Sequence, residues 1–312
     1  MTYIIRNPKL LNLNKKYFIT VGTFDGVHLG HQKIITHLVK KAKQKNCGTL
    51  LLTFDPHPRK VVQPSNAPML LQTIEERSEI LSKLGLEIIF VQPFTKAFSK
   101  LNAEEYVKDI LVNQLNVEHL LVGYNHRFGK NRTANIFDLK KLGKKYKFSV
   151  SEIQAHIVNK ITVSSTKIRH AINNGNIKYA NSLLGHTYKL KGIVMKGRQN
   201  GKKIGFPTAN VKINEREKIL PKNGVYAVKV NYNEMTNLAM MNIGTNPTFS
   251  GNYISNEVHL INWDGNLYKK EIEFFFIERI RDEKKFNSIQ DLSIQLQNDK
   301  NYVLKKFKNL NL

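Results

Sequence analysis

Two short segments of the sequence carry residue types that can handle phosphate groups. The first, Gly22-Thr-Phe-Asp-Gly-Val-His-Leu-Gly-His31, lies between a predicted strand and a predicted helix. Glycines let the backbone approach a phosphate, and the unpaired amides of a helix start point toward an anion. His28 and His31 are three residues apart, so they project from the same helical turn. The segment predicts a site that stabilises phosphate by placement and charge, as nucleotidyl transfer requires.

The second segment is Gly197-Arg-Gln-Asn-Gly201-Lys-Lys-Ile-Gly-Phe-Pro-Thr-Ala-Asn210. It is not a Walker A loop, because only three residues separate its first two glycines and no Ser or Thr follows the lysine pair. Its glycines still predict an amide-rich loop, to which the lysines add positive charge. Thr208 and Asn210 offer oxygen ligands that suit Mg²⁺. Glu257, on a later predicted strand, is the best candidate for a base that deprotonates a hydroxyl group.

The elements that position these segments change in character near residue 186. In the first half, short apolar runs alternate with helical stretches, one of which opens with a predicted capping box at Thr73 and Glu76. This pattern predicts a parallel sheet with ligands beyond the carboxyl ends of its strands. The second half predicts a small antiparallel barrel and a helical tail capped by Ser288. The predicted strands cover residues 17–21, 50–54, 88–91 and 120–122, then 190–195, 224–230, 238–243, 258–261 and 272–277. We therefore expect an α/β domain over residues 1–186 and a β-barrel domain over residues 187–312.

Composition limits the class of protein. The 312 residues are 41% hydrophobic, enough for two cores, and Cys47 is the only cysteine, which excludes an intrachain disulfide. No apolar run reaches the roughly 20 residues that cross a bilayer, and the N-terminus lacks a signal-peptide pattern, so we expect a cytoplasmic protein without membrane contact. The 49 basic and 24 acidic residues give a net charge of +25, which attracts polyanions. Lysines on solvated helix faces account for much of this excess, so nucleic acid is not the expected partner.

The first segment resembles the His-x-Gly-His signature of the nucleotidyltransferase superfamily, and its ten-residue form resembles prokaryotic bifunctional riboflavin kinase/FAD synthetases. Three later segments resemble the same family in order: Thr53-Phe-Asp-Pro-His-Pro58, Val122-Gly-Tyr-Asn-His-Arg-Phe-Gly129 and Ser164-Ser-Thr-Lys-Ile-Arg169. In the second half, Gly205-Phe-Pro-Thr-Ala-Asn210, Glu257-Val-His-Leu260 and Arg281-Asp-Glu-Lys-Lys-Phe286 resemble the riboflavin kinase domain. The resemblance covers nearly the whole chain and implies a Rossmann-like nucleotidyltransferase sheet followed by a kinase barrel.

The resemblance also implies which residues serve each reaction. His28, His31 and Glu257 would be catalytic, and Thr208 and Asn210 would hold Mg²⁺. ATP would contact Gly22, Phe24, Gly30, Ser164, Thr166 and Arg169 in the first half, and Gly201, Lys202, Gly205, Thr208 and Asn210 in the second. Flavin would contact Asp55, Asn125, Arg127, Arg281 and Glu283. The implied reactions are ATP-dependent phosphorylation of riboflavin to FMN and adenylylation of FMN to FAD with release of pyrophosphate.

The chain departs from the family pattern at several positions. Asn125 and His126 replace a common Asp-Phe pair, and Lys202 and Asn246 replace common arginines. Lysine does not bind phosphate bidentately as arginine does, so these changes leave the strength of each activity open. His57, between two prolines, either shapes a turn or contacts substrate.

Two other functions remain open at this point. The first half could catalyse a different nucleotidyl transfer beside an unrelated module, although the kinase segments argue against it. A basic nucleic-acid binder without catalysis is the third possibility, although no nucleic-acid motif supports it. Phe274 and Phe276 alternate along a predicted strand and are expected in the core rather than against a flavin. An oligomer is compatible with the sequence.

Overall fold

The computed structural model describes residues 2–11, 15–124, 126–154, 157–158, 161–196, 201, 204–215, 217–233, 235–248 and 251–308. Its contacts divide the chain into two compact units, Met1–Ser165 and Thr166–Leu312. None of the described helices is both long and apolar enough to cross a membrane.

The first unit is a parallel sheet with helices on both faces, as the sequence predicts. Its strands are β1 (Tyr3–Ile5), β2 (Tyr17–Val21), β3 (Gly48–Asp55), β4 (Ile88–Pro93), β5 (Val117–Gly123) and β6 (Ser149–Ile153), with a small antiparallel pair, β7 (Ile157–Val158) and β8 (Ile161–Thr162). Its helices are α1 (Leu29–Gln44), α2 (Pro58–Val62), α3 (Ile74–Lys83), α4 (Ala103–Glu105), which continues as a π-helix over Tyr106–Gln114, and α5 (Ile136–Tyr146). Short 3₁₀ turns cover Pro8–Leu10, Pro64–Asn66, Phe98–Lys100 and Lys130–Arg132.

Strand order in the sheet is β1-β4-β3-β2-β5-β6. Because β2 pairs in parallel with both β3 and β5, the carboxyl ends of these three strands meet at one edge. The segments that begin at residues 22, 53 and 122 therefore lie at neighbouring strand ends. The capping box at Thr73 and Glu76 is confirmed and starts α3.

Alternate strand residues bury the two faces of the sheet against different helices. One face of the sheet packs against the π-helix and α5, through Ile19, Leu50, Phe90 and Leu120 on the strands and Val107, Leu111 and Leu139 on the helices. The opposite face packs against α1 and α3, through Phe18, Leu51, Ile89 and Leu121 on the strands and Ile35, Leu38 and Leu81 on the helices. The near-continuous apolar strands that the sequence shows are those of a sheet covered on both sides.

The second unit is a closed antiparallel barrel with helices at its start and end. Its elements are α6 (Ser165–Asn173), which begins at the last residue of the first unit, α7 (Ile177–Leu184), β9 (Lys189–Met195), β10 (Ala209–Ile213), β11 (Gly224–Tyr232), β12 (Met235–Thr248), β13 (Gly251–Leu260), β14 (Glu271–Arg281) and α8 (Ile289–Lys308). The barrel order is β10-β13-β12-β11-β14-β9. Phe274 and Phe276 are fully buried, which confirms their expected core position. The predicted cap at Ser288 is also present, since its Oγ accepts from the Asp291 amide at 3.0 Å.

The boundary between the two compact units, after Ser165, lies before the predicted domain boundary at 186/187. It does so because α7 is bound to the barrel: Asn181 Nδ2 donates to Phe276 O (2.8 Å), and the Tyr188 amide donates to Asn181 Oδ1 (2.8 Å). The sequence pattern assigns α7 to the first half by its helical character, whereas packing assigns it to the second. The functional boundary at 186/187 stays a prediction.

Candidate active sites

The first candidate site is the loop between β2 and α1. The Gly22 amide donates to Leu52 O (3.0 Å), which continues the sheet one residue beyond β2. Phe24, Gly26 and Val27 then have φ angles of 47°, 87° and 34°, in the left-handed region. Two of these three residues are not glycine, so the turn is held in a conformation that such side chains disfavour.

His28 and His31 stack on each other at the start of α1. Their ring centroids are 3.6 Å apart with an interplanar angle of 14°, and the Phe24 ring stacks on His31 at 4.4 Å. His28 is the N-cap of the helix, and its Nδ1 accepts from the His31 amide at 3.3 Å. Because Nδ1 is the acceptor, the proton of a neutral His28 resides on Nε2, where it can be donated.

The two imidazoles are not an exposed pair. His28 is 6% exposed and His31 is half-buried. Among the described residues, Nδ1 of His31 is buried and has no hydrogen-bond partner. Burial, followed by the charges of His28 and Arg77, lowers the pKa of His31 well below its ordinary 6.5. His31 is therefore neutral at pH 7 in this state, and a bound phosphate would favour its charged form.

The start of α6 lies against the same loop. Ser165 Oγ donates to the Asp25 carbonyl at 2.8 Å, which brings the neighbouring Ser164 to the edge of the site. Thr166 is exposed and Arg169 is half-buried on α6, in the unit that begins at residue 166. Their contact with ATP stays a prediction. Gly30, half-buried, belongs to the first turn of α1 beside the histidines.

The predicted flavin-side residues of the first unit lie at the ends of β3 and β5. Asp55 ends β3 and pairs with Arg6 (Nη1 to Oδ2 3.1 Å), and both side chains are about half exposed. His57 caps α2, because its Nδ1 accepts from the amide two residues later at 3.2 Å; this supports the turn-shaping alternative. Arg127 is exposed, and Asn125 lies outside the described residues.

A connected group of aromatic rings, which sequence reasoning missed, lies at the end of β3 and in the segment after β4. Phe54, Phe94 and Phe98 form a half-buried trio with ring centroids 5.4–5.8 Å apart. Phe98 also contacts the buried Tyr106 (6.2 Å), which contacts Phe128 (5.8 Å). These rings are dispersed along the sequence, so only the strand order brings them together. The trio offers planar apolar surface suited to a fused ring system.

The second candidate site begins at Gly201. The Phe206 amide donates to Gly201 O (2.9 Å), which closes the loop on itself. A Cβ on Gly201 would lie 2.1 Å from Phe206 O and 3.3 Å from Thr208 Oγ1, so this glycine lies against the predicted metal ligand. Gly205 has φ 80°, and a Cβ there would meet no atom within 4 Å in the part of the chain that the structure describes. Lys202 lies outside the described residues.

Strand register brings the predicted base and a predicted metal ligand together. Asn210 on β10 is directly opposite Glu257 on β13, which in turn is opposite Asn242 on β12. Opposite residues of antiparallel strands project from the same face of a sheet. Burial raises the pKa of the Glu257 carboxyl, which makes it a stronger base than an exposed glutamate. This row is the central geometric feature of the barrel site.

A cleft of about 680 Å³ opens beside Thr208. Its walls include Met195 and Lys196 at the end of β9 and the loop between β13 and β14, which contributes Trp263 and Tyr268. Sequence reasoning did not assign this loop to the site. A lone Trp among Asp, Gly and Asn residues is typical of a surface turn, so composition carries little signal of its position.

Arg281 and Glu283 lie where β14 ends. Arg281 forms a bidentate ion pair with Asp299 of α8, with Nη2 to Oδ2 at 2.8 Å, which ties the strand end to the helix. Glu283 Oε2 accepts from Asn223 Nδ2 (3.3 Å), and its Oε1 occupies the space above Gly244, where a Cβ would lie 2.1 Å away. Glu283 therefore approaches β12 beside the polar row, whereas the Arg281 guanidinium is already engaged.

Thr208 and Asn210 fit a magnesium ion by the chemistry of their oxygen donors. In the described part of the chain, no group of three or more His, Cys, Asp or Glu side chains is arranged to hold a metal. A magnesium ion here would therefore take most of its remaining ligands from water and nucleotide phosphates, as Mg²⁺ commonly does.

A parallel sheet with a histidine-bearing helix start, followed by a barrel that pairs a strand carboxylate with an amide side chain, fits a transferase with two phosphate-handling sites. Residues 11–167 match the family model for FAD synthetase, and residues 184–307 match that for riboflavin kinase. The chain thus belongs to the family of bifunctional riboflavin kinase/FMN adenylyltransferases.

Curated relatives carry the same family name over nearly their whole length. The protein of Buchnera aphidicola subsp. Schizaphis graminum is 38% identical over 97% of this chain and 97% of its own. That of Listeria monocytogenes is 39% identical over 95% and 93%. A solved structure titled as a macrolide-efflux protein from Streptococcus pneumoniae matches with a TM-score of 0.89 and 29% identity over 97% of this chain and 98% of that one.

Proposed function

We propose that the barrel site phosphorylates riboflavin to FMN and that the sheet site transfers AMP from ATP to FMN, giving FAD. The observation that carries the proposal is the cross-strand pairing of Asn210 with Glu257. We assign the functional boundary to 186/187 and the reactions to the cytoplasm, where ATP is available.

In the kinase reaction, Glu257 accepts the proton of the terminal ribityl hydroxyl of riboflavin. The hydroxyl oxygen attacks the γ-phosphorus, the bond between that phosphorus and the β-phosphate oxygen breaks, and ADP leaves. Thr208 and Asn210 would hold Mg²⁺, which offsets the negative charge of the triphosphate. Gly201 and the backbone amides within residues 204–208 would orient the phosphates.

In the adenylyl transfer, a phosphate oxygen of FMN attacks the α-phosphorus of ATP. The bond from that phosphorus to the bridging oxygen of the β-phosphate breaks, and pyrophosphate leaves. His28 and His31 donate N–H groups to the phosphoryl oxygens as charge accumulates there. The flavin ring would lie on the half-buried Phe54, Phe94 and Phe98 trio, and Asp55, Asn125 and Arg127 would contact its ribityl phosphate side.

The test separates the two reactions in one protein. Purified chain is incubated with riboflavin, ATP and Mg²⁺, and the flavins are separated by chromatography; both FMN and FAD are expected. His31→Ala should abolish FAD formation and leave FMN formation intact. Glu257→Ala should block FMN formation but not the adenylylation of supplied FMN.

Each variant is thus the folding control for the other. If either one lost both activities while remaining folded, the assignment of one reaction to each unit would be wrong. If the wild-type protein made neither product, the proposed function itself would fail.

A further inference from the structure

The histidine loop of the first unit adopts a conformation that its own residues disfavour. Phe24 and Val27 have positive φ angles, and neither is glycine. Such backbone geometry persists only where surrounding contacts determine it. The Phe24 ring stacks on His31, which stacks on His28, so whatever holds this loop also sets the position of both imidazoles.

The contacts that hold the loop converge on a buried carboxylate. Asp25 is 1% exposed, and its side-chain oxygens accept the amides of Leu71 (3.0 and 3.1 Å) and Gln72 (2.9 Å). These amides belong to the segment that leads into α3. The Asp25 carbonyl accepts from Ser165 Oγ on the other side. Asp25 therefore joins the loop to two separate parts of the first unit.

Arg77 on α3 completes this arrangement. Its guanidinium is almost fully buried, with Nη2 3.5 Å from Asp25 Oδ1. Nη1 donates to Thr23 O (2.9 Å), and Nη2 donates to Gln72 O (2.9 Å). Arg77 thus contacts Thr23 and Asp25, on the two sides of Phe24, and also Gln72 in the segment to which Asp25 is bound. Only a planar fork of several N–H donors can satisfy these acceptors together.

We propose that Arg77 is a positioning residue for adenylyl transfer, acting through Thr23, Asp25 and Phe24 on the two histidines. The inference rests on the proposed function of the sheet site. Arg77 does not contact the reacting groups itself. It holds the loop backbone in the left-handed turn that puts Phe24 under the His31 ring.

The buried charge of Arg77 gives a second, independent readout. The groups whose charge lowers the pKa of His31 are His28, from the same helical turn, and Arg77, from α3. Removing the guanidinium charge should raise that pKa. A residue with a purely structural role elsewhere in the unit would leave it unchanged.

The experiment compares Arg77→Met, Arg77→Lys and Lys83→Met, the last being an exposed lysine on the same helix. FAD formation from supplied FMN and ATP gives kcat and KM, and FMN formation from riboflavin is measured in the same preparations. We expect kcat for FAD formation to fall about 100-fold in Arg77→Met and about tenfold in Arg77→Lys, because lysine keeps the charge but not the fork. FMN formation and Lys83→Met should stay within twofold of wild type. The His31 resonances should titrate at higher pH in Arg77→Met than in wild type.

If Arg77→Met does not fold, Arg77→Lys decides. A lower kcat with a native thermal transition supports the proposal, and an unchanged kcat overturns it. A parallel loss of both reactions, or a change in KM alone, also overturns it. A wild-type protein that makes no FAD would instead refute the proposed function on which the inference depends.

Discussion

The substitution Gly201→Ala tests whether the barrel loop places the triphosphate. An alanine Cβ at this position would lie 2.1 Å from the carbonyl oxygen of Phe206 and 3.3 Å from Thr208 Oγ1. The first contact is with backbone, which cannot rotate away as a side chain can. The hydrogen bond between the Phe206 amide and Gly201 O, which closes the loop at 2.9 Å, lies in the same region.

The geometry sets the size of the effect. A carbon and an oxygen in contact are ordinarily separated by more than 3 Å, so the loop must open by about 1 Å. A displacement of about 1 Å at a catalytic site can lower the rate about 100-fold. This corresponds to about 2.7 kcal/mol of transition-state stabilisation. We therefore expect kcat for riboflavin phosphorylation to fall by about two orders of magnitude.

The assay measures FMN formation at saturating riboflavin and ATP, with FAD formation from supplied FMN as the folding control. Gly205→Ala is the matched variant in the same loop, because its φ is 80° but no atom of the described residues lies within 4 Å of the new Cβ. It should lose about 1 kcal/mol of stability from left-handed strain and less than tenfold in rate. The reasoning is refuted if the rate of FMN formation in Gly201→Ala stays within threefold of wild type, or if that rate falls by the same factor in both variants.

Three further outcomes follow from the structure. Burial lowers the pKa of His119 to about 4, and burial together with the charge of Arg132 lowers the pKa of His126 to about 4. Below pH 6.5 the unfolded chain therefore binds more protons than the folded chain. The free energy of unfolding of the first unit should therefore decrease as the pH falls from about 6.5 to 4, by about 2 kcal/mol per histidine at pH 5. Urea unfolding of the wild-type protein and of His119→Asn across this pH range checks the prediction. His259→Leu removes the hydrogen bond from Nδ1 to Pro207 O (2.9 Å) before Thr208 and should slow riboflavin phosphorylation about tenfold, with FAD formation unchanged. Trp263→Ala, on the cleft wall, should raise KM for ATP in that reaction about tenfold, and an unchanged KM would remove Trp263 from the site.

The fold was largely predictable because each half repeats one kind of pattern. The buried strands of the sheet carry apolar runs without alternation, and the helices between them carry caps that sequence alone identifies, such as Thr73 with Glu76. Strand β10 was not predicted, because it lies inside a segment whose glycines and prolines indicate a loop. Six strands therefore close the barrel where the sequence predicts five.

The candidate sites were predictable as motifs but not as assemblies. That Asn210 lies opposite Glu257 depends on the register of two strands far apart in sequence. Arg77 left no signal, because a charged residue on an amphipathic helix is ordinarily exposed. Only the fold shows that its guanidinium is buried against the histidine loop. The local sequence thus identifies the candidate functional residues of each site, whereas the topology determines which other residues hold them in place.

The difference between the two sites matches the difference between their nucleophiles. The FMN phosphate is already ionised near neutral pH, so attack on the α-phosphorus needs charge stabilisation rather than a base. On the proposed assignment the sheet site presents imidazoles, and the carboxylate within the histidine loop, Asp25, is engaged by backbone amides and Arg77. A ribityl hydroxyl is not ionised and requires proton removal during attack on the γ-phosphorus. The barrel site accordingly presents Glu257, whose pKa burial raises toward the range in which a carboxylate accepts a proton well. On this assignment, one chain can therefore use ATP in two different reactions, because each unit supplies the group that its own nucleophile requires.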